Sequence, residues 1–398
     1  MAENPESLIY GLRMVVINGT VADGFGKVAD AFAQNFADFP ELGAGFALVA
    51  DGELKVDISA GVADKASGRP WDADTLQLVF STTKGAAAIC VARLVEAGKL
   101  SYSDTVATHW PEFAANGKGE VTVAQMMSHQ AGLPYVDAPL TIDQILEVGP
   151  VVEALAAQTP IWEPGTAHGY HAVTYGWLAG ELVRRVDGRS IGTYFADEVA
   201  GPLGLDFWIG LPESEEPRVS TLEASAPPSD PAELALMLQV MGPGTIGFKA
   251  LTMNGSLMAF GAENPFNTRA LHATEMPAAN GITNASSLAR MYAATVGEVD
   301  GVRLVGADTM RAMSTEAVNG PDEALVAETR FGMGFMLNNE LVPLLSPTSF
   351  GHAGAGGSLG QADPESGVGY GYVMNQMMSG IAGDPRTVRL NDAVRACL

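Results

Sequence analysis

The chain has 398 residues, of which 47% are hydrophobic and 17% charged, and its formal net charge is −24 at pH 7. This length and apolar content are enough for a large core and more than one lobe. The excess of negative charge repels nucleic-acid backbones and anionic membranes, so neither is expected as a partner.

Neither the cysteines nor the first residues indicate secretion. Cys90 and Cys397 are too few for a disulfide framework, and we expect Cys90 to be reduced and buried. Residues 1–7 lack a basic region, and the apolar run 14–17 is too short for a signal core or a membrane span. We therefore expect a cytoplasmic protein.

The predicted elements at the two ends of the chain complement each other. A helix is predicted over 25–37, followed by strands at 46–50 and 53–59 that an Asp51-Gly52 turn joins. Towards the other end, the chain has predicted strands at 331–338, 348–354 and 368–377 and a predicted closing helix at 386–396. We expect both ends to build one antiparallel sheet flanked by helices.

The middle of the chain is rich in helices and loops and is expected to form a second lobe. The predicted fold is therefore α/β (α+β), with residues 1–84 and 291–398 in a sheet lobe and 85–290 in a helical lobe. A site is expected in the cleft between the two lobes.

A short polar segment, Ser81-Thr82-Thr83-Lys84, stands directly before a predicted apolar helix that Gly98 ends. A lysine three residues after a serine on a helix projects from the same face and can take the hydroxyl proton. Free N–H groups at the helix N-terminus can stabilise an oxyanion there. The pattern predicts an acyl-enzyme on Ser81, although it also fits a helix-capping serine beside a solvated lysine.

Two later segments decide between these interpretations. Residues 164–178 form a predicted turn that runs into a helix and contains Tyr170-His171-Ala172, and Phe350-Gly351-His352-Ala353-Gly354 is a predicted strand that opens into a glycine-rich bend. Together with Ser81 and Lys84, these segments resemble the three motifs of the serine β-lactamase and penicillin-binding-protein superfamily. The resemblance is to its class C-like branch, most closely to the family VIII carboxylesterases, and it extends over residues 45–377.

The resemblance implies a serine β-lactamase/transpeptidase-like fold and a set of site residues. Ser81 is the expected nucleophile, and Lys84 and Tyr170 are the expected general base and acid, with the order in which they act left open. The backbone N–H groups of Ser81 and Ala355 are expected to form the oxyanion hole. Substrate-binding positions are expected at Ala172 and at His352, Ala353 and Gly354.

Two positions depart from the motifs of β-lactamases. Ala172 stands where those enzymes offer Asn to an amide, and His352 stands where they offer Lys to a carboxylate. Both changes weaken recognition of amides and anions, so a carboxylesterase for small, mostly uncharged esters is the leading expectation. The alternatives are a β-lactamase, a D-amino-acid amidase or peptidase, a transesterase, or a penicillin-binding homologue with little turnover.

A second serine and the histidines are weaker candidates. Gly356-Gly357-Ser358-Leu359-Gly360 fits the nucleophile elbow of α/β-hydrolases, but a turn over 361–367 is predicted after it where that elbow needs a helix. His129 is expected to brace a loop, and neither His168 nor His171 has metal-ligand spacing. We therefore expect no metal and no cofactor.

Overall fold

The computed structural model describes residues 15–228, 230–259, 264–380 and 383–398. Its strands are, in chain order, β1 (Ile17–Val21), β2 (Gly43–Ala50), β3 (Glu53–Asp64), β4 (Arg69–Pro70), β5 (Gln77–Leu78), β6 (Phe207–Trp208), β7 (Ile282–Thr283), β8 (Val318–Pro321), β9 (Glu328–Phe331), β10 (Met336–Leu337), β11 (Phe350–Ala353), β12 (Leu359–Asp363) and β13 (Val368–Met374).

The α-helices are α1 (Gly26–Asp38), α2 (Thr83–Glu96), α3 (Val106–His109), α4 (Val123–Met127), α5 (Ile142–Leu146), α6 (Gly149–Ala157), α7 (Thr174–Asp187), α8 (Ile191–Phe195), α9 (Gly201–Leu203), α10 (Pro231–Met241), α11 (Ile246–Thr252), α12 (Arg269–Ala273), α13 (Ala285–Val296), α14 (Ala307–Ser314) and α15 (Pro385–Arg395). Short 3-10 turns lie at Pro111–Gly117, Glu213–Arg218, Pro265–Asn267 and Ala355–Gly357, and Ala196–Ala200 is π-helical.

One large sheet joins the two ends of the chain. In the described residues it contains ten strands in the order β1-β3-β2-β13-β12-β11-β10-β9-β8, with β4 paired to β3, and every pairing is antiparallel. The ends meet where β13 pairs with β2, so that Tyr372 stands opposite Phe46. The expected antiparallel sheet flanked by helices is confirmed.

Helices cover both faces of this sheet. Glycines at 360, 369 and 371 bring α13 against one face, because a Cβ at any of them would collide with atoms of α13. Side chains of a strand alternate between the faces. Tyr372 accordingly points to the opposite face, where it donates a hydrogen bond to Glu41 beside Arg386 of α15. Strand β2 is buried along its whole length.

A smaller sheet holds the start of α2. Strands β5, β7 and β6 form it, and β5 pairs with β7 through Gln77 and Thr283. The next residues, Val79 and Phe80, continue this contact, because Val79 N–H donates to Gly281 O at 2.9 Å. The turn that carries Ser81 is thereby fastened to the chain near residue 280.

Two of the predicted elements differ from the structure. The expected strand 331–338 is two strands, β9 and β10, that a turn at Gly332–Gly334 separates. The expected turn over 361–367 is wrong for its first part, because Gln361 to Asp363 belong to β12 and the turn begins at Asp363. The expected lobe boundary at 290–291 stays a prediction, and it falls inside α13, which packs on the sheet.

No single helix in the described ranges is both long and apolar enough to cross a membrane. The consecutive segments Leu234–Met241 and Ile246–Thr252, bent by 77° against each other, reach that length and hydropathy only when taken together.

Candidate active site

Ser81 occupies a sharp turn directly before α2. Phe80, the residue before it, has φ +43°, a conformation that an aromatic residue adopts only under constraint. Lys84 N–H donates to Ser81 O at 2.9 Å within the turn that leads into α2. Ser81 is partly exposed, whereas Thr82, Thr83 and Lys84 after it are buried. The turn therefore presents one side chain of this segment, the Ser81 hydroxyl, towards solvent.

The amine of Lys84 is fully buried and has three hydrogen-bond partners. Its Nζ lies 3.0 Å from Ser81 Oγ, 2.5 Å from Ala172 O and 3.1 Å from Ala278 O. The two carbonyl groups only accept hydrogen bonds. A neutral amine has two N–H groups and one lone pair, so donation to both carbonyls leaves the lone pair for the Ser81 hydroxyl. This arrangement suits a base.

Burial lowers the pKa of Lys84 well below its ordinary value of 10.5. The cause is the removal of the ammonium form from water, because no carboxylate contacts the amine in the described residues. The neutral, basic form is consequently more accessible near pH 7 than for an exposed lysine. The distance to Ser81 Oγ and the shifted pKa favour the same role.

Tyr170 lies on the other side of this pair. Its ring stacks on Phe331 with centroids 6.1 Å apart, and Lys84 Nζ lies 4.7 Å from the centre of the Tyr170 ring. Burial raises the pKa of Tyr170, the nearby Ser81 hydroxyl lowers it in part, and the Asp322 carboxylate raises it further. The phenol is therefore protonated at neutral pH and can act as a proton donor.

Asp322 holds the backbone of Tyr170 and was not expected from the sequence. Its Oδ1 accepts hydrogen bonds from the N–H groups of Tyr170 at 3.0 Å, Ala324 at 2.9 Å and Leu325 at 2.8 Å, and its Oδ2 accepts one from Thr329 Oγ1 at 3.1 Å. Four donors compensate the burial of this carboxylate. The turn between β8 and β9 thus fixes the position of the second motif.

The end of β11 brings the third motif to the nucleophile. Gly354 stands so close to the Ser81 turn that a Cβ there would lie 2.9 Å from Thr82 Oγ1 and collide with Val79 O. Ala353 and Gly354 are partly exposed, and Ala355 is exposed. Within the described residues neither the Ser81 nor the Ala355 amide donates a hydrogen bond to another protein group. Both N–H groups are therefore free for a substrate oxygen.

His352 is the buried member of this segment. Its Nδ1 lies 2.7 Å from Ala353 O, and its Nε2 has no hydrogen-bond partner in the part of the chain that the structure describes. Burial lowers the pKa of His352 well below 6.5, and the nearby Lys84 adds to the decrease. A neutral imidazole cannot attract a substrate carboxylate as an ammonium group does.

Ser358 has a structural position. Its Oγ donates to Val79 O at 2.9 Å and lies 3.0 Å from Thr82 Oγ1, and its side chain is fully buried. Strand β12 begins at the next residue, so the helix that a nucleophile elbow requires is missing. Ser358 joins the glycine bend to the turn that carries the nucleophile.

The sequence analysis also did not predict the contacts of the Lys84 amine with backbone carbonyl groups. Ala172 lies at an expected substrate position, but its carbonyl group holds Lys84 and its side chain is almost fully buried. Ala278 is the first residue of the segment Ala278-Ala279-Asn280-Gly281. In this segment, the side-chain amide of Asn280 donates to Leu271 O and Thr274 O at 2.8 and 2.6 Å and so shapes the loop.

The histidines near Tyr170 brace the surrounding loops. His129 Nδ1 accepts from His171 N–H at 3.2 Å, and His171 Nε2 accepts from Leu133 N–H at 3.0 Å. His168 Nε2 lies 2.8 Å from Thr329 Oγ1. In the described ranges no three His, Cys, Asp or Glu side chains converge as ligands for one metal ion.

Comparison with known proteins identifies the family of the chain. A family model described as Beta-lactamase matches residues 32–393. The esterase/beta-lactamase LipL of Mycobacterium tuberculosis is 35% identical over 370 residues, which cover 91% of this chain and 83% of LipL. A family VIII carboxylesterase structure has a TM-score of 0.87 and 41% identity, and a penicillin-binding protein homologue from Caulobacter crescentus has a TM-score of 0.85 and 41% identity. Each alignment covers 96% of this chain and 100% of the other. The resemblance inferred from the motifs is confirmed, and the chain belongs to the β-lactamase family.

Proposed function

We propose that the chain is a carboxylesterase that cleaves small, mostly uncharged esters through an acyl-enzyme on Ser81. The observation that carries the proposal is the environment of Lys84. Its Nζ lies within hydrogen-bond distance of two backbone carbonyls and of the Ser81 hydroxyl, at 3.0 Å, so that in its neutral form donation to the two carbonyls leaves the lone pair for the hydroxyl.

The first half of the reaction forms the acyl-enzyme. Ser81 Oγ attacks the ester carbonyl while Lys84 accepts the hydroxyl proton. The N–H groups of Ser81 and Ala355 receive the negative charge that develops on the carbonyl oxygen. As the C–O bond to the alcohol breaks, Tyr170 donates a proton to the leaving oxygen and is reprotonated from Lys84.

The second half releases the acid. A water molecule attacks the acyl carbonyl and loses its proton to the same pair of Lys84 and Tyr170. The bond between the acyl carbon and Ser81 Oγ then breaks, and the Oγ recovers a proton. The products are one carboxylic acid and one alcohol for each ester and water consumed, and no cofactor is required.

The surroundings of the site support an ester rather than an anionic amide. His352 is buried and neutral, and Ala172 offers no amide-binding side chain. LipL is named an esterase/beta-lactamase and the family VIII structure a carboxylesterase, so both names include ester hydrolysis and that of LipL includes β-lactamase activity as well. A β-lactamase, a D-amino-acid amidase or peptidase, a transesterase and a penicillin-binding protein with little turnover are the competing functions.

A substrate comparison tests the proposal. We expect p-nitrophenyl acetate and butyrate to be hydrolysed far faster than nitrocefin, and mass spectrometry after treatment with a fluorophosphonate to place the label on Ser81. Faster turnover of nitrocefin would favour a β-lactamase instead. Stable penicillin labelling without turnover of either substrate would favour a penicillin-binding protein.

A further inference from the structure

Arg386 lies in the first turn of α15 and is completely buried, although it is a charged residue. All five of its guanidinium N–H groups have acceptors. Nε and Nη2 donate to the two Asp384 oxygens at 3.0 and 2.7 Å, and Nη1 donates to Glu41 Oε1 at 3.0 Å and to Gln376 O at 2.9 Å. The remaining Nη2–H donates to Gly356 O at 2.5 Å. No donor is left over.

The contact with Gly356 reaches the candidate oxyanion hole. Gly356 directly follows Ala355, and its carbonyl also accepts from Met378 N–H at 3.1 Å. Gly357 has φ +128°, and a Cβ there would collide with both Arg386 Nη2 and Asp384 Oδ2. The bend is therefore shaped so that the guanidinium group can approach its backbone.

Packing alone does not require that Arg386, Glu41 and Asp384 form an ionic cluster here. Arg386, Glu41 and Asp384 are all removed from water, with exposed side-chain fractions of 0%, 0% and 9%. Replacement of a buried ionic cluster by apolar residues of similar size is often neutral for stability or even favourable. What an apolar side chain could not supply is the charged hydrogen bond to Gly356 O, which fixes the orientation of one peptide group.

We propose that Arg386 is a positioning residue for the oxyanion hole. It holds the peptide between Gly356 and Gly357, and thereby keeps the preceding Ala355 N–H directed at the oxygen that becomes negative during attack by Ser81. Asp384 and Glu41 hold the guanidinium group in place. The inference rests on the proposed acyl-enzyme mechanism.

The test compares two arginines of the same helix. Arg386→Lys keeps the positive charge between the carboxylates but loses the planar fork that reaches Gly356 O. Arg389→Lys is the matched control, because Arg389 also pairs with a carboxylate, Asp38 at 2.7 Å, but lies partly exposed away from the bend. We expect Arg386→Lys to lower kcat for p-nitrophenyl butyrate by at least about tenfold with KM within about twofold, because misplaced oxyanion donors weaken transition-state binding.

A second readout separates positioning from a general loss of structure. Benzeneboronic acid forms a tetrahedral adduct with a serine and places an oxygen where the oxyanion forms. Its affinity should fall in Arg386→Lys by about the same factor as kcat/KM, since both depend on the same donors. In Arg389→Lys neither quantity should change by more than about twofold.

A charge-compensated variant covers the case in which lysine is not tolerated. Arg386→Met combined with Glu41→Gln removes the arginine together with one carboxylate, so that fewer unpaired charges remain buried. It should show the same decrease in kcat and in boronic acid affinity. Folded variants that match Arg389→Lys in both measurements would overturn the proposal, as would failure of both Arg386 variants to fold, because Arg386 would then serve the fold itself.

Labelling keeps this inference separate from the proposed function. If a fluorophosphonate does not label Ser81 in the unaltered protein, the acyl-enzyme mechanism is wrong. If Ser81 is labelled and Arg386→Lys hydrolyses esters at the control rate, only the role of Arg386 is wrong.

Discussion

Thr82 and Ser358 share a hydrogen bond of 3.0 Å across 276 residues of sequence. It connects the turn that carries the candidate nucleophile with the glycine bend that carries the Ala355 amide. Ser358, whose local sequence resembles a nucleophile elbow, thus helps to hold the turn that carries the candidate nucleophile Ser81. The two serines can be distinguished by substitution.

Ser81→Ala should abolish ester hydrolysis, whereas Ser358→Ala should keep near-normal turnover. The second variant loses hydrogen bonds to Val79 O and Thr82 Oγ1, so we expect a destabilisation of about 1–3 kcal/mol. The measurements are p-nitrophenyl butyrate hydrolysis and urea unfolding. An inactive Ser358→Ala protein beside an active Ser81→Ala protein would contradict the whole site assignment.

Lys84 should impose a pH dependence on activity. Only its neutral form is a base, so kcat/KM should rise with pH through the lowered pKa of Lys84 and reach a plateau below the ordinary value of 10.5. Lys84→Arg stays protonated and should lose a factor on the order of 10³ or more in kcat across the whole range. Initial rates between pH 5 and 10 provide the check. A Lys84→Arg enzyme that regains activity at alkaline pH would remove Lys84 from the base role.

Tyr170→Phe should reduce kcat by a factor of roughly 10² or more while the melting temperature stays close to that of the unaltered protein. The ring still packs on Phe331, and one hydroxyl is lost. Tyr175→Phe is the matched control, because the Tyr175 hydroxyl is equally buried and has no hydrogen-bond partner within the described residues. Equal rates for the two variants would make Tyr170 a packing residue.

Glu41 should make stability depend on pH. Burial raises the pKa of Glu41 from 4.5 to about 7, against the opposing effect of Arg386. Between these values the folded protein binds more protons than the unfolded chain, so this group's contribution to stability is lost as pH rises. Glu41→Gln should lack the decrease, which is on the order of 3 kcal/mol at most. Urea unfolding of both proteins at pH 5 and pH 8 measures it, and parallel pH trends would contradict the shifted pKa.

The sequence indicated the side chains of the candidate site but not the groups that hold them in place. Ser81 and Lys84 could be predicted because nucleophilic chemistry restricts residue type and spacing, and Tyr170 could be predicted because its segment resembles the second motif of the superfamily. The acceptors of Lys84 are the backbone carbonyls of Ala172 and Ala278, which every residue type offers, so no pattern marks them.

The roles of other residues could not be predicted because their partners lie far away along the chain. Asp322 meets Tyr170 across 152 residues and resembles any turn aspartate in sequence. Arg386 was part of a predicted closing helix, with no sign that its side chain turns inward. Strand β12 was not predicted, because Gly360 and its neighbours have weak strand propensity. A glycine is needed at position 360 because a Cβ there would collide with Tyr292 of α13.

The contacts around Lys84 also bear on how the protein acquires activity during folding. Its amine joins residues 88 and 194 positions away along the chain, and Thr82 reaches 276 positions to Ser358. Contacts of such high contact order form late, because long loops must close before any of them contributes. During refolding, the recovery of esterase activity should therefore lag behind the return of the helical circular dichroism signal. The activity reports the completed topology, whereas the circular dichroism signal reports local structure.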